Sequence, residues 1–276
     1  MEIRYGNSPA ETSRMNAAEI RQNFLMQHKF VPGEINLVYT MYDRVIGGGI
    51  VPTNAALPLG TYPILKSDHF FDRREMGIIN IGGKGSISVD GQTFDLEKLD
   101  CLYIGKGSKD VSFSSESASN PAAFYVLSAP AHAEYPTTKM TSAEAQPTDL
   151  GDQLTANKRT VYKYIHIEGI QSCQVVMGLT RLAPGNVWNT MPSHVHDRRM
   201  ELYCYFDVDD NHRVMHFMGE PQETKHMVVA NREIIISPPW SIHSGCGTSN
   251  YAFVWGMAGE NKVYQDMDPV PVETMR

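Results

Sequence analysis

The feature that most restricts this chain is the rhythm of its apolar residues after about residue 30. Segments of five to eight residues rich in Val, Ile, Tyr and Phe alternate with Gly, Pro, Asn and Asp. Examples are MGIINIGG at 76–83, SISVDG at 86–91, CLYIGKG at 101–107 and AAFYVLS at 122–128. The second half continues with SCQVVMGLT at 172–180, ELYCYFDV at 201–208, REIIISPPW at 232–240 and YAFVWGMAG at 251–259. No helical period is sustained there, so the pattern predicts an all-β chain of sandwich or barrel type. One short helix is expected ahead of it, over NAAEIRQNFL at 16–25. Asn16 serves as its N-cap, Glu19 completes a capping box, and Ile20 and Phe24 share one face.

A chain of 276 residues has room for two β-rich lobes. HFFDRREMGIINI at 69–81 aligns with HVHDRRMELYCYF at 194–206, an offset of 125 residues. Each copy places H-x-x-D-R-R before a strand, and a repeat of that length implies a duplicated lobe rather than a solenoid. The stretch rich in Ala, Pro, Thr and Asp around 131–158 has linker composition. The expected division is therefore an N-terminal lobe over 1–130, a linker over 131–158 and a C-terminal lobe over 159–276.

Lys and Arg number 24 against 31 Asp and Glu, a formal net charge of −7. A phosphate backbone is repelled by that balance, so nucleic acid is not an expected partner. An acidic small molecule could bind only at a local cationic point, such as a metal ion or clustered Arg and Lys. No apolar run is long enough for a membrane helix, and Met1–Ala10 has no apolar core of a signal peptide. Cys101, Cys173, Cys204 and Cys246 form no CxxC pair and read as reduced thiols of a cytoplasmic protein.

The strongest chemical signal is His194-Val195-His196. Alternate residues of a strand point to one face, so both imidazoles can reach a common ion. Asp197-Arg198-Arg199 can turn the chain into the next strand, where Glu201 offers an oxygen. His243, after the Pro238-Pro239-Trp240 turn, offers a third imidazole. Three imidazoles and a carboxylate suit Zn, Fe, Mn, Co or Ni. A lone HxH is common by chance; the added Glu and the distant His tip the balance toward metal. His28, His69, His132, His166, His212, His216 and His226 lack a comparable partner set and read as surface or core residues.

These residues resemble the motifs of the cupin superfamily. Gly185…His194-x-His196-x4-Glu201 is similar to the first motif and Pro238-x-Trp240-x2-His243 to the second. The chain departs from the pattern in its long gap after Gly185, in Trp240 where glycine is usual and in Gly247 where asparagine is usual. In the N-terminal copy His69 matches His194, but Phe71 stands for His196, Met76 for Glu201 and Val111 for His243. One metal per chain is expected, in the C-terminal lobe of a bicupin.

A narrower resemblance spans nearly the whole chain. The runs 72–85 (DRREMGIINIGGKG), 182–206 (LAPGNVWNTMPSHVHDRRMELYCYF), 219–226 (GEPQETKH), 236–245 (ISPPWSIHSG) and 255–261 (WGMAGEN) resemble the 5-dehydro-4-deoxy-D-glucuronate isomerase family of pectin and uronate breakdown. That resemblance implies a single zinc held by His194, His196, Glu201 and His243. It also implies a homo-oligomer, commonly a hexamer, and a small acidic keto-sugar as substrate. The implied reaction gives 3-deoxy-D-glycero-2,5-hexodiulosonate. It moves a proton between carbons beside a carbonyl, which a Lewis-acidic ion favours.

The proton-transferring group is not legible. Glu223 or a metal-bound hydroxide is a candidate base, and a hydride shift is the alternative to proton transfer. Tyr203 and Tyr205 are further candidates, since they share strand parity with Glu201 and their hydroxyls could hold the sugar, a pattern equally expected of core aromatics. Arg198, Arg199, Arg159, Lys163 and Lys158 are candidates for the substrate carboxylate, although a solvated role is commoner for such residues. Three other readings stay open: a cupin dioxygenase using Fe(II), a non-enzymatic sugar-binding bicupin, and an inositol-catabolism isomerase.

Overall fold

The computed structural model describes every residue except Asn261 and Tyr264. Asn261 closes the 255–261 run quoted above and lies outside the described residues. The architecture is two sandwiches joined back to back. The first has a seven-stranded sheet in which the inner strand Arg74–Asn80 is flanked by Phe124–Pro130 and Cys101–Ile104. Facing it is a four-stranded sheet that includes Gly85–Val89 and Val111–Ser115. The second sandwich repeats the plan: Arg199–Phe206 lies between Ala252–Gly259 and Ile234–Ser237, opposite a sheet containing Val214–Glu220 and Ser244–Gly247.

The cores explain why the central strands are apolar on both faces. One core lies within each sandwich, and a third lies between the two seven-stranded sheets. On Arg199–Phe206 the residues Met200, Leu202, Cys204 and Phe206 enter that shared core. Their alternates Tyr203 and Tyr205 point into the second sandwich. Period-two alternation thus sorts one strand between two interiors. The sheets approach closely: a Cβ on Gly77 would lie 2.8 Å from both Ile165 Cδ1 and Met177 Cε.

The expected helix is present as Ala17–Phe24, with Asn16 accepting from Ala18 and Glu19 and the Glu19 side chain returning the bond. Its placement differs from the division read off the sequence. Ile20 and Phe24 pack into the second sandwich, and Leu25–Met26 pairs with Ile234–Ser237 of that sheet. The stretch at 131–158 also carries strands. Thr138–Met140 extends the first lobe's sheet and Thr148–Leu150 the second's, so the chain changes lobes between them. Pairing across a sheet edge is a long-range contact, which linker composition does not reveal.

In the first lobe the positions aligned with the metal candidates are packed shut. Phe71 and Met76 are wholly buried among Ile78, Phe113 and Phe124, and Val111 joins the same core. His69 stays at the surface beside Asp72.

Candidate metal centre and adjoining cavity

His194–Val195 is a two-residue strand pinned by Asp268–Pro269. A tight turn follows, closed by Arg199 N–H to His196 O at 3.2 Å, and it delivers Glu201 onto Arg199–Phe206 opposite Ser237. His243 comes from a turn in which Ser241 N–H donates to Pro238 O at 3.0 Å. The Ser241 hydroxyl also accepts from Gly219 N–H at 2.9 Å, tying that turn to the facing sheet.

The four side chains converge. His194 Nε2 and His243 Nε2 are 2.9 Å apart, and Glu201 Oε2 lies 3.1 Å from the Nε2 atoms of both His196 and His243. The three imidazoles offer nitrogens all within 4.8 Å of one another. Their outer nitrogens fix the tautomers. His196 Nδ1 is 2.9 Å from the Arg199 carbonyl, so it carries the hydrogen and leaves Nε2 a lone pair. His243 Nδ1 similarly faces the Ser241 carbonyl at 3.3 Å. The lone pairs of His196 and His243 and a carboxylate oxygen of Glu201 therefore point at one centre, with the His194 ring nitrogen beside them.

Burial opposes relief of that conflict by protonating the imidazoles. It pulls His194 down to about 3, helped by His196 and Arg199, and holds His243 well below the usual imidazole range. Burial also raises Glu201, against the pull of His196. A divalent cation at the centre satisfies every one of these groups, and the N3O donor set fits a borderline ion.

Beside the cluster lies a cavity of about 220 Å³. His194, Glu201, Tyr203, Thr190 and Arg159 give it polar points, and Phe253, Trp255 and Met257 an apolar wall. The Tyr203 ring stacks on Phe253 at 5.1 Å, and its hydroxyl is 3.1 Å from Thr190 Oγ1. Trp255 is held by Nε1–H donating to Thr180 Oγ1 at 3.2 Å.

The structure sorts the remaining candidates. Arg159 lines the cavity. Arg198 instead pairs with Glu260 at 2.9 Å on the surface. Arg199 is buried and donates to the carbonyls of Val263 and Asp266 at 2.7 and 2.9 Å, so it binds the chain rather than a ligand. Lys158 and Lys163 do not line the cavity. Glu223 is a correction: it sits exposed on the outer strand Glu223–Val229, 3.0 Å from Lys225, because that strand forms the edge of its sheet. Tyr205 lies deeper than the cavity, fully buried, with its hydroxyl 2.7 Å from His216 Nδ1. Thr190 and the Phe253-Trp255-Met257 wall escaped sequence reasoning. Shared strand parity was the only signal for the latter.

The KduI/IolB family matches residues 24–271. The chain belongs to that family. It is 56% identical over 276 residues to the 4-deoxy-L-threo-5-hexosulose-uronate ketol-isomerase of Halalkalibacterium halodurans, covering all of both chains. It is 53% identical over 275 residues to the protein of that name from Formosa agariphila, covering 100% of this chain and 98% of that one. An IolB-like protein from Salmonella typhimurium LT2 superposes with a TM-score of 0.71 at 16% identity, over 90% of this chain and 97% of the other. Oxalate decarboxylase of Bacillus subtilis, studied for its Mn(II) centres, gives 0.56 at 11% identity over 81% and 71%. The likeness to these two structures shows the fold, a bicupin. No helix among the described residues is long and apolar enough to cross a membrane.

Proposed function

We propose that the chain is a metal-dependent ketol-isomerase converting 5-dehydro-4-deoxy-D-glucuronate to 3-deoxy-D-glycero-2,5-hexodiulosonate. The observation that carries the metal dependence is the convergence of three imidazole nitrogens and the Glu201 carboxylate on one buried point beside a cavity. The relatives at 56% and 53% identity support the substrate and the reaction. His194, His196, Glu201 and His243 would hold the ion, with zinc the expected occupant because the isomerisation needs no redox change. When bound, a divalent ion supplies Lewis acidity beside the substrate carbonyl.

The chain's own groups do the rest. Arg159 pairs with the substrate carboxylate, offering a planar guanidinium to a planar anion. Tyr203 faces the sugar with a hydroxyl oriented by Thr190 and a ring fixed by Phe253, so it is placed to carry a proton between neighbouring carbons and their oxygens. Phe253, Trp255 and Met257 exclude water from one side of the cavity, which strengthens the polar contacts on the other. His196 and His243 are kept in the metal-binding tautomer by backbone carbonyls. The four free cysteines accord with a reducing, cytoplasmic setting. A homo-oligomer, possibly a hexamer, is the expected assembly, and sedimentation velocity tests it.

The deciding experiment supplies freshly prepared 4-deoxy-5-keto-uronate and follows product by mass-neutral NMR conversion, with an oxygen electrode in the same vessel. Conversion without oxygen uptake supports the isomerase. Oxygen consumption coupled to turnover, or binding with no conversion, overturns it.

A further inference from the structure

The first lobe contains a second cavity of about 220 Å³, at the strand end where Arg73 and Arg74 emerge. Its position follows from the repeat. Arg74 opens an inner strand of its sheet as Arg199 opens the equivalent strand of the other. In the second lobe the Arg199 guanidinium is covered by the carbonyls of Val263 and Asp266, in the segment after Ala252–Gly259. In the first lobe the segment after Phe124–Pro130 runs instead toward Thr138–Met140 at the opposite edge of the sheet, and the equivalent place is a cavity.

Arg74 is 6% exposed, yet all its hydrogen bonds are to neutral oxygens. Nε donates to Ser128 Oγ at 3.0 Å, and Nη2 donates to the carbonyls of Arg44 and Ser128 at 2.7 and 2.9 Å. Its Cζ lies 5.9 Å from the centre of the Tyr39 ring. Burial lowers it to about 10, so it keeps its charge at neutral pH. Arg73 is exposed at the mouth and donates to the Leu65 carbonyl at 3.1 Å and to that of Lys66.

Among the described residues none of Arg44, Lys66, Arg73 and Arg74 takes part in an ion pair. The neighbouring acids are committed elsewhere: Asp72 to His69, and Glu75 to four donors on the other face of the strand. Arg74 feels the Glu75 carboxylate only through space and has no acid within ion-pair distance, so an anion in its cavity would give the buried guanidinium a direct partner. Leu65 and Phe70 give the same cavity apolar walls, which suit a carbon skeleton better than an inorganic ion.

We propose that this first-lobe cavity is a second ligand site, which binds the carboxylate of a small organic acid such as a hexuronate between Arg73 and Arg74. It is separate from the metal centre and independent of the reaction assigned there.

The test is calorimetric titration with D-galacturonate, run on the intact protein and on Arg159→Ala, Arg73→Ala and Ser67→Trp. Inorganic phosphate serves as a parallel probe. Two galacturonates per chain are expected, with Arg159→Ala removing one and leaving the other. Loss of one charge-assisted contact in Arg73→Ala should weaken the remaining site by about tenfold or more. Ser67→Trp, which fills the cavity without touching the buried arginine, should abolish it. Neither first-lobe variant should change turnover by more than about twofold. A single galacturonate per chain that Arg159→Ala removes, a second site untouched by both first-lobe variants, or binding of phosphate but not galacturonate overturns the proposal; a single galacturonate that survives Arg159→Ala and is lost in Ser67→Trp supports it.

Discussion

Glu75 offers a direct measure of what joins the lobes. Its carboxylate is wholly buried in the first lobe and accepts four hydrogen bonds. Oε2 takes the Tyr103 hydroxyl at 2.7 Å and Cys173 N–H at 2.6 Å, and Oε1 takes Gln174 N–H at 2.7 Å and Val175 N–H at 2.9 Å. The last three donors belong to the segment leading into Val176–Leu182, a strand of the second lobe. Glu75→Gln keeps the shape but turns one oxygen into a donor. The Tyr103 hydroxyl can rotate to accept from the new amide, whereas a backbone N–H cannot. One buried N–H is then stranded, at about 1–3 kcal/mol, and the remaining bonds lose their ionic character. Together the loss is about 3–5 kcal/mol, equivalent to about 5–9 °C in Tm for a chain of this length. Differential scanning calorimetry at one scan rate, on metal-loaded protein at neutral pH, reads it directly. Metal content should be unchanged. A Tm within about 2 °C of the parent would refute the view that this carboxylate latches the lobes.

Other outcomes follow from the site and its surroundings. Arg159→Ala should raise KM for the keto-uronate by about tenfold to a hundredfold with a much smaller effect on kcat, whereas Tyr203→Phe should lower kcat chiefly; steady-state kinetics separate the two. Phe71→Ala should cost about 3–5 kcal/mol of stability in urea titrations and leave bound metal unchanged, because its ring is core and nothing more. His216 is held by burial down to about 3, so its unfolded form binds a proton below about 6.5 that its folded form refuses. Its contribution to stability is intact above about 6.5 and falls by about 1.4 kcal/mol per pH unit as the pH drops toward 3. His216→Asn should therefore show a shallower loss of stability between about pH 6.5 and 4.5, and equal slopes would sink the assignment.

How much of this was readable in advance depended on the range of the contacts. The HxH pair, Glu201 and the capped helix at Ala17–Phe24 are local patterns; the helix forms with its capping box, and the three side chains of the motif come together although the strand ends at Val195 and His196 already lies in the turn. His243 was legible only because a Pro turn precedes it and a familiar motif contains it. The doubly buried character of Arg199–Phe206 hid its two faces, since apolar residues on one side and tyrosines on the other read as one continuous run. The assignment of Leu25–Met26 to the second lobe depends on pairing more than 200 residues away in sequence, with Ile234 and Ile235. Arg198 and Arg199 are adjacent in sequence, yet one pairs with Glu260 at the surface and the other anchors the 263–266 segment. Only the path of the chain after Ala252–Gly259 tells them apart.

The central claim is that one divalent ion at the convergence of His194, His196, Glu201 and His243 is required for turnover. Chelated protein titrated with zinc should regain isomerisation linearly up to a single equivalent per chain and then plateau, while His196→Ala, folded by circular dichroism, should neither bind the ion tightly nor recover. Full turnover by chelated protein, or recovery that is indifferent to the loss of His196, would contradict it.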